Sequence, residues 1–199
     1  MTIGIIGAGA IGSAIARALA RHHIPAMIAN SRGPETLAAL VEEIGPTLTA
    51  ATREQAAQAD MVFLAVNWAT LPQALAGLPA WQNRIVIDAN NAVEVPSFRA
   101  VPLGGRTSSE VVSDHLPGAR LVKAFNHLSA PLLSEPPESH GGQRVLFYAG
   151  DDADAKQQVA ALMAQLGFAG LDLGALAAGG ALFQFPGGPL AVHHLVKQA

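Results

Sequence analysis

The sequence predicts an α/β protein built on a doubly wound, mostly parallel sheet. Strand-like apolar runs alternate with helix-like stretches along most of its 199 residues, a pattern typical of a parallel sheet covered by helices on both faces. A glycine-rich turn, Gly7 to Gly12, joins the first strand to the first helix. Half of the residues are hydrophobic and 14% are charged, so the chain can form a large buried core.

Six strands are predicted before residue 127, and each is a short, mainly apolar run. They are Thr2–Ile6, Pro25–Ala29, Thr47–Ala50, Met61–Val66, Arg84–Asp88 and Leu121–Phe125. Local signals also mark the starts of helices. Pro34 suits a first helical turn, and the pairs Thr52 with Gln55 and Thr107 with Glu110 have the spacing of capping boxes.

The chain changes character after residue 126. The segment 128–142 is rich in proline, serine and glycine and is predicted to be a connecting loop with one short helical turn. A strand at 143–149, a helix opened by Asp151 and Asp152, and a strand at 168–173 follow. Residues 174–189 are apolar and rich in glycine, and we expect an irregular segment that serves both a pocket and a subunit contact.

The glycine turn is the most informative motif of the chain. In Gly7-Ala8-Gly9-Ala10-Ile11-Gly12 the first glycine permits a tight turn and the second lets the backbone approach a pyrophosphate. The third lets the following helix sit close to the sheet. The N-terminus of that helix offers unpaired N–H groups to the anion. Placed between a strand and a helix, the motif predicts a Rossmann-type dinucleotide-binding fold.

The end of the second predicted strand indicates which dinucleotide is bound. An acidic residue commonly accepts hydrogen bonds from the ribose of NAD at this place, whereas this chain has Asn30-Ser31-Arg32. Ser31 can donate to a 2′-phosphate and Arg32 can bind it through a charged planar fork. The triplet favours NADP over NAD, with a solvated Arg32 as the alternative.

Other polar residues follow the later strands, where ligands bind in open parallel sheets. Trp68 either walls the nicotinamide or anchors its loop on the next helix. His127 is either a proton relay or a locally hydrogen-bonded side chain. Asn126 and His127 are the two catalytic candidates, and neither is assigned. Lys123, within a strand, is expected to be paired or at a sheet edge and not to be a Schiff-base lysine. Cofactor contacts are predicted at Gly7, Ala8, Gly9, Ala10, Ile11, Gly12, Asn30, Ser31, Arg32, Val66, Asn67, Trp68 and Asn90.

Composition excludes several classes of function. The net charge of −3, without any basic block, argues against nucleic acid as a partner. The chain has no cysteine, so disulfides and thiolate chemistry are excluded, and adjacent histidines do not face one another as metal ligands would. No metal site is predicted. Because no long apolar run occurs and the first strand begins at residue 2, we expect a cytoplasmic protein without a signal peptide or a membrane span.

Four blocks together resemble the NADPH:deazaflavin oxidoreductase family, along nearly the whole chain and in the family's order. The blocks are Gly4–Gly12, Asn30–Glu35, Val122–Asn126 and Phe147–Asp152. The resemblance implies that Ala8–Ile11 hold the pyrophosphate, that Ser31 and Arg32 hold the 2′-phosphate, and that the molecule is a homodimer. Pro34-Glu35-Thr36 departs from archaeal members, which often have a basic residue here. The C-terminal Phe-Gln-Phe-Pro-Gly-Gly-Pro stretch resembles the bacterial branch.

The expected function is hydride transfer between NADPH and a flat ring acceptor, a deazaflavin or a flavin. Such a reaction is mainly a positioning task and needs no dedicated acid or base. Two alternatives stay open, a non-catalytic module that senses NADP(H) and a reductase of a small carbonyl or imine. We expect a Rossmann domain at residues 1–126. Residues 127–199 would be a small α/β extension that completes the sheet, the acceptor pocket and the dimer contact.

Overall fold

Strands and helices alternate along the chain in a computed structural model, which describes residues 1–198. The strands of this part are β1 (Ile3–Ile6), β2 (Ala26–Ala29), β3 (Leu48–Ala50), β4 (Met61–Leu64), β5 (Ile85–Asp88), β6 (Arg120–Ala124), β7 (Glu138–Ser139), β8 (Gly142–Gly150), β9 (Ala169–Asp172) and β10 (Val196–Gln198). The α-helices are α1 (Ala10–Arg21), α2 (Ala38–Ile44), α3 (Arg53–Ala56), α4 (Leu71–Leu75), α5 (Ser108–Asp114), α6 (Ala130–Ser134), α7 (Ala153–Gln165) and α8 (Leu176–Phe183). Short 3-10 turns precede α2 at Pro34–Leu37 and α4 at Trp68–Thr70.

The first six strands form a parallel sheet in the order β3-β2-β1-β4-β5-β6. The strand order reverses between β1 and β4. The connections that follow these two strands therefore leave the carboxyl edge of the sheet in opposite directions, and a crevice opens between them. This is the Rossmann arrangement, and the predicted fold class is confirmed.

The sheet continues beyond β6 through the C-terminal part of the chain. The nine-residue strand β8 pairs antiparallel with β6 near its C-terminal end, while β7 and β10 pair with its first residues. Strand β9 runs parallel to β8. Strands from both parts of the chain therefore belong to one sheet.

Alternate residues of the central strands enter two apolar layers. Ile3 and Ile5 of β1 pack with α1 on one face, whereas Ile6 faces the layer that contains Ala56 of α3. Gly4 also faces α3, where an added Cβ would overlap the carbonyl oxygen of Ala56. The helices thus approach the first strand closely from both sides, and the turn after β1 is held between them.

Two C-terminal segments contain more regular structure than the sequence predicts. Residues 128–142 form α6 and the short strand β7. The segment 174–189, predicted to be irregular, contains α8 instead. Gly179 and Gly180 lower helix propensity and hide this helix in the sequence. They lie on its buried face, where a Cβ on Gly179 would overlap the carbonyl oxygen of Leu173, so close packing explains why glycine occurs in a helix.

No helix within residues 1–198 is both long enough and apolar enough to cross a lipid bilayer. Over the same residues, no three histidine, aspartate or glutamate side chains gather into a group that could hold a metal ion.

Candidate functional site

The turn between β1 and α1 is shaped by its glycines. Gly7 has φ +111°, and a Cβ there would overlap the carbonyl oxygen of Ala65. A Cβ on Gly12 would overlap the carbonyl oxygen of Gly7. Gly9 differs, because its φ of −79° suits any residue and an added Cβ would enter open space. The fold therefore requires Gly7 and Gly12, while the missing side chain at Gly9 leaves room above the turn for a ligand.

The N-terminus of α1 can receive an anion at this place. No side chain caps the helix, and its first turn contains no acidic residue. The helix has twelve residues, so the unpaired N–H groups of its first turn and its dipole both favour a negative group beside Gly9. Room for a ligand and an uncapped helix end together fit a pyrophosphate.

A cleft of about 370 Å³ extends from this turn along the carboxyl edge of the sheet. It is lined by eight residues predicted to contact the cofactor: Gly7, Ala8, Gly9, Asn30, Ser31, Arg32, Val66 and Asn67. Six residues that were not predicted to contact the cofactor also line it: Ile6, Arg53, Ala65, Thr70, Gln73 and Ala74. Two arginines and no carboxylate are found in this lining, so the cleft suits an anionic ligand.

The turn after β2 presents Ser31 and Arg32 to the cleft. The Oδ1 atom of Asn30 accepts a hydrogen bond from the backbone N–H of Arg32 at 2.8 Å, and its Nδ2 donates to Thr36 Oγ1 at 2.8 Å. Asn30 thus shapes the turn. Ser31 and Arg32 are exposed, and within residues 1–198 the Arg32 guanidinium has no hydrogen-bond or ion-pair partner. The carboxylate of Glu35 folds back against Gly33, so one acid lies near this turn.

Two residues predicted to contact the cofactor have other roles in the structure. Asn90 is 3% exposed, and its amide is used inside the protein. Its Oδ1 accepts from the backbone N–H of Val66 at 2.7 Å and its Nδ2 donates to Asp88 at 2.9 Å. Asn90 therefore positions the loop after β4. Trp68 is half-buried and packs on the apolar layer beneath that loop, outside the lining of the cleft.

Beside Asn90 lies a fully buried ion pair between Asp88 and Lys123, with 3.5 Å between Lys123 Nζ and Asp88 Oδ2. Lys123 Nζ also donates to the Asn90 carbonyl oxygen at 3.1 Å and to Ser108 Oγ at 3.0 Å, and Ser109 Oγ donates to Asp88. Burial lowers the pKa of Lys123 and the Asp88 carboxylate opposes that shift. Lys123 is paired, as the sequence predicts, and it is closed off from any substrate.

A second cavity, of about 350 Å³, opens at the carboxyl ends of β5 and β6. Its lining contains no charged side chain and includes Ile11, Asn91, Phe98, Asn126, His127, Leu128, Ser129, Leu132, Phe185 and Val192. Phe98 and Val192 are 61% and 68% exposed, and both have positive φ, at +54° and +57°. Bulky residues rarely adopt this strained conformation, and such strain is concentrated at binding sites.

The polar part of this cavity has unpaired atoms. Asn126 Oδ1 and both ring nitrogens of His127 are buried without a hydrogen-bond partner within residues 1–198. Burial lowers the pKa of His127 to about 4, and the nearby backbone of Val145 opposes this shift. His127 is therefore neutral at pH 7, packed with 4.5 Å between its ring centre and that of Phe147. Unpaired buried polar atoms are costly, and a ligand that fills the cavity would relieve that cost.

The chain end contributes the far wall of the second cavity. Asn91 Oδ1 accepts from the backbone N–H of Phe185 at 2.9 Å, and Asn126 Nδ2 donates to the Phe183 carbonyl oxygen at 3.0 Å. The backbone N–H of Ser108 donates to the side chain of Gln184 at 3.1 Å. Residues 183–185 are thus hydrogen-bonded to the loops after β5 and β6 and to the first residue of α5, which the sequence alone could not show.

Comparison with curated proteins finds metalloreductases at modest identity. The chain is 28% identical over 183 residues to the metalloreductase STEAP3 of Rattus norvegicus, a match of 88% of this chain and 34% of that protein. It is 26% identical over 187 residues to the metalloreductase STEAP2 of Homo sapiens, with the same coverage. The chain spans about a third of the length of these relatives.

Solved structures share the fold over nearly the whole chain. A hypothetical protein from Sinorhizobium meliloti is 47% identical with a TM-score of 0.94, covering 100% of this chain and 97% of that one. A candidate F420-dependent NADP reductase from Arthrobacter is 27% identical with a TM-score of 0.71, covering 88% and 86%. A reductive aminase from Aspergillus terreus in complex with NADPH, 23% identical with a TM-score of 0.63 and covering 90% and 56%, shares the fold.

The family comparison agrees with the glycine turn and the cleft. Residues 2–92, which contain β1 to β5 and most of the cleft, match the family model described as NADP oxidoreductase, coenzyme F420-dependent. Over these residues the chain is similar to a family of NADP-dependent oxidoreductases.

Proposed function

We propose that the chain holds NADP(H) along the cleft and transfers a hydride between NADPH and a flat ring acceptor of deazaflavin or flavin type. The observation that carries the proposal is the arrangement of the two sites around one turn. Ala8 and Gly9 line the cleft, and Ile11, two residues further on, lines the uncharged second cavity. A dinucleotide lying across the N-terminus of α1 would reach from Arg32 to that cavity.

Each part of the site has a binding task in this proposal. The first turn of α1 would hold the pyrophosphate, and Ser31 with Arg32 would hold the 2′-phosphate. The dihydronicotinamide, when bound, supplies the hydride. Ile11, Phe185 and Val192 would exclude water from the cavity and position the two rings for the transfer. An uncharged lining is sufficient because the cofactors carry the electronic work.

Reduction of a small carbonyl or imine is the second candidate, and His127 is the observation that favours it. When a hydride adds to a carbonyl carbon, the carbonyl oxygen must receive a proton, and His127 lies in the cavity with unpaired nitrogens. However, a histidine with a pKa of about 4 carries almost no proton to donate at pH 7. The structure therefore favours the ring acceptor.

The reaction can be tested by following the oxidation of NADPH with flavin, deazaflavin, ketone and imine acceptors. We expect turnover with at least one ring acceptor and much slower turnover with carbonyls and imines. Tight NADPH binding without turnover of any acceptor would instead indicate a sensing module. Turnover of ketones or imines alone, lost in His127→Ala, would support the second candidate.

Arg32→Ala tests the direction in which the cofactor lies. The unpartnered guanidinium should contribute a charge-assisted contact to the 2′-phosphate of about 1.5–3 kcal/mol. We expect NADPH affinity to fall by roughly 10- to 150-fold and NADH affinity to stay nearly unchanged. Titration of cofactor fluorescence measures both values. Equal losses for the two cofactors would show that Arg32 does not contact the phosphate.

A further inference from the structure

The cleft contains a second arginine that neither the glycine turn nor the Asn30–Arg32 triplet predicts. Arg53 is the first residue of α3, and its side chain enters the cleft lining together with Thr70 and Gln73. Helix α3 begins just after β3, so Arg53 rises at the carboxyl edge of the sheet, near the turn after β2 and the loop after β4. This place is the end of the cleft away from the second cavity.

The Arg53 guanidinium is held in one orientation. Its Nη1 donates to the carbonyl oxygens of Gln73 at 2.7 Å and Ala74 at 3.0 Å, both in α4, and its Nη2 lies 3.5 Å from Glu54 Oε1. The side chain is 27% exposed. Arg32, by contrast, is exposed and has no partner within residues 1–198. The cleft thus combines a free cation with a fixed, partly neutralised planar group.

We infer that Arg53 contacts the adenine base of the dinucleotide, an assignment that rests on the proposed function. A doubly charged phosphate pairs best with a free cation, which is Arg32. A neutral purine instead offers a flat π face and ring nitrogens that accept hydrogen bonds, and a fixed guanidinium matches both. Arg53 is then a determinant of base recognition, independent of the choice between NAD and NADP.

Arg53→Ala and Arg53→Lys test this assignment in the full chain, by titration with NADPH and with NADH. If Arg53 contacts the base, Arg53→Ala weakens both cofactors by the same factor, about tenfold. Arg53→Lys gives a similar loss, because lysine keeps the charge and a donor for the α4 carbonyls but lacks the planar fork. Arg84→Ala is the matched control. It also removes an arginine that donates to backbone carbonyls, at Ala80 and Trp81, outside the cleft, and it should leave both affinities unchanged.

Three results would overturn the assignment. A loss confined to NADPH would make Arg53 a phosphate ligand, and full rescue by lysine would reduce its role to charge or to fixing α4. Unchanged affinities in Arg53→Ala would remove it from the site. A wild-type protein that binds neither NADPH nor NADH would refute the proposed function itself, which is a different outcome from any of these.

Discussion

At the level of single residues, the fold does not require glycine at position 9, whereas the proposed pyrophosphate does. The backbone of Gly9 is ordinary and a Cβ would meet nothing within 4 Å. We expect Gly9→Val to fold normally and to lose NADPH binding, because the side chain would occupy the place of the pyrophosphate. Circular dichroism and cofactor titration on the same sample check both parts.

The neighbouring Gly7 supplies the contrast. Gly7→Ala should destabilise the protein by more than 1 kcal/mol, since alanine is strained at φ +111° and meets the Ala65 carbonyl. Chemical denaturation measures this loss. Normal NADPH binding by Gly9→Val would refute the pyrophosphate site, whereas a stable Gly7→Ala would refute the described geometry of the turn.

His127 should make stability depend on pH. Its pKa is about 4 in the folded protein and near 6.5 when unfolded, so the unfolded state binds the proton more tightly. The neutral His127 contributes fully to the free energy of unfolding above pH 6.5, and this contribution is lost as the pH falls towards 4. The loss is about 2 kcal/mol by pH 5 and about 3 kcal/mol in total.

His127→Phe should remove this part of the pH dependence while keeping the contacts with Phe147 and Phe183. Urea unfolding at pH 7.5 and pH 5 measures the difference. The exposed His140, replaced by glutamine, serves as the control and should leave the wild-type pH profile. If the stability of His127→Phe depends on pH as that of the wild type does, folding does not lower the pKa of His127.

At the level of elements, the Asp88–Lys123 pair joins β5 to β6, while Ser108 and Ser109 bring in α5. Lys123→Met would leave a buried carboxylate without its cation and should cost about 3–5 kcal/mol of folding free energy. Adding Asp88→Asn should recover most of that loss, because no charge is then buried alone. Denaturant titration of the single and double variants measures their free energies of unfolding. A stable single variant would show that Asp88 is not ionised.

Element prediction from sequence succeeded where the signal is local. Both capping boxes form as predicted, with Thr52 and Thr107 each accepting from the backbone N–H three residues later. The short strand β10 was missed because the antiparallel contact with β8 defines it, not its own composition. Helix α8 was missed because its glycines serve packing against Leu173, and tertiary contact overrides their low propensity.

For the whole molecule, the structure brings some of the predicted cofactor contacts together in one cleft and places others elsewhere. The glycine turn and the Ser31–Arg32 end are contiguous motifs with a chemical meaning, and they line one cleft. Arg53 was invisible because an arginine one residue into a short helix has no distinguishing pattern until the fold brings it beside α4. Asn90 was predicted to contact the cofactor, and its side chain is bonded to Asp88 and to the backbone of Val66. An asparagine at a strand end has the same sequence pattern in either role.

The hydrogen bonds that hold residues 183–185 to Asn91, Asn126 and Ser108 have an evolutionary consequence. One wall of the second cavity comes from a stretch more than ninety residues beyond Asn91 along the chain, and no residue of that stretch lines the cleft. If the second cavity receives the acceptor, as proposed, changes in residues 183–192 would alter which acceptor fits without disturbing how the coenzyme is held. Relatives could diverge in acceptor while their first ninety residues stay alike.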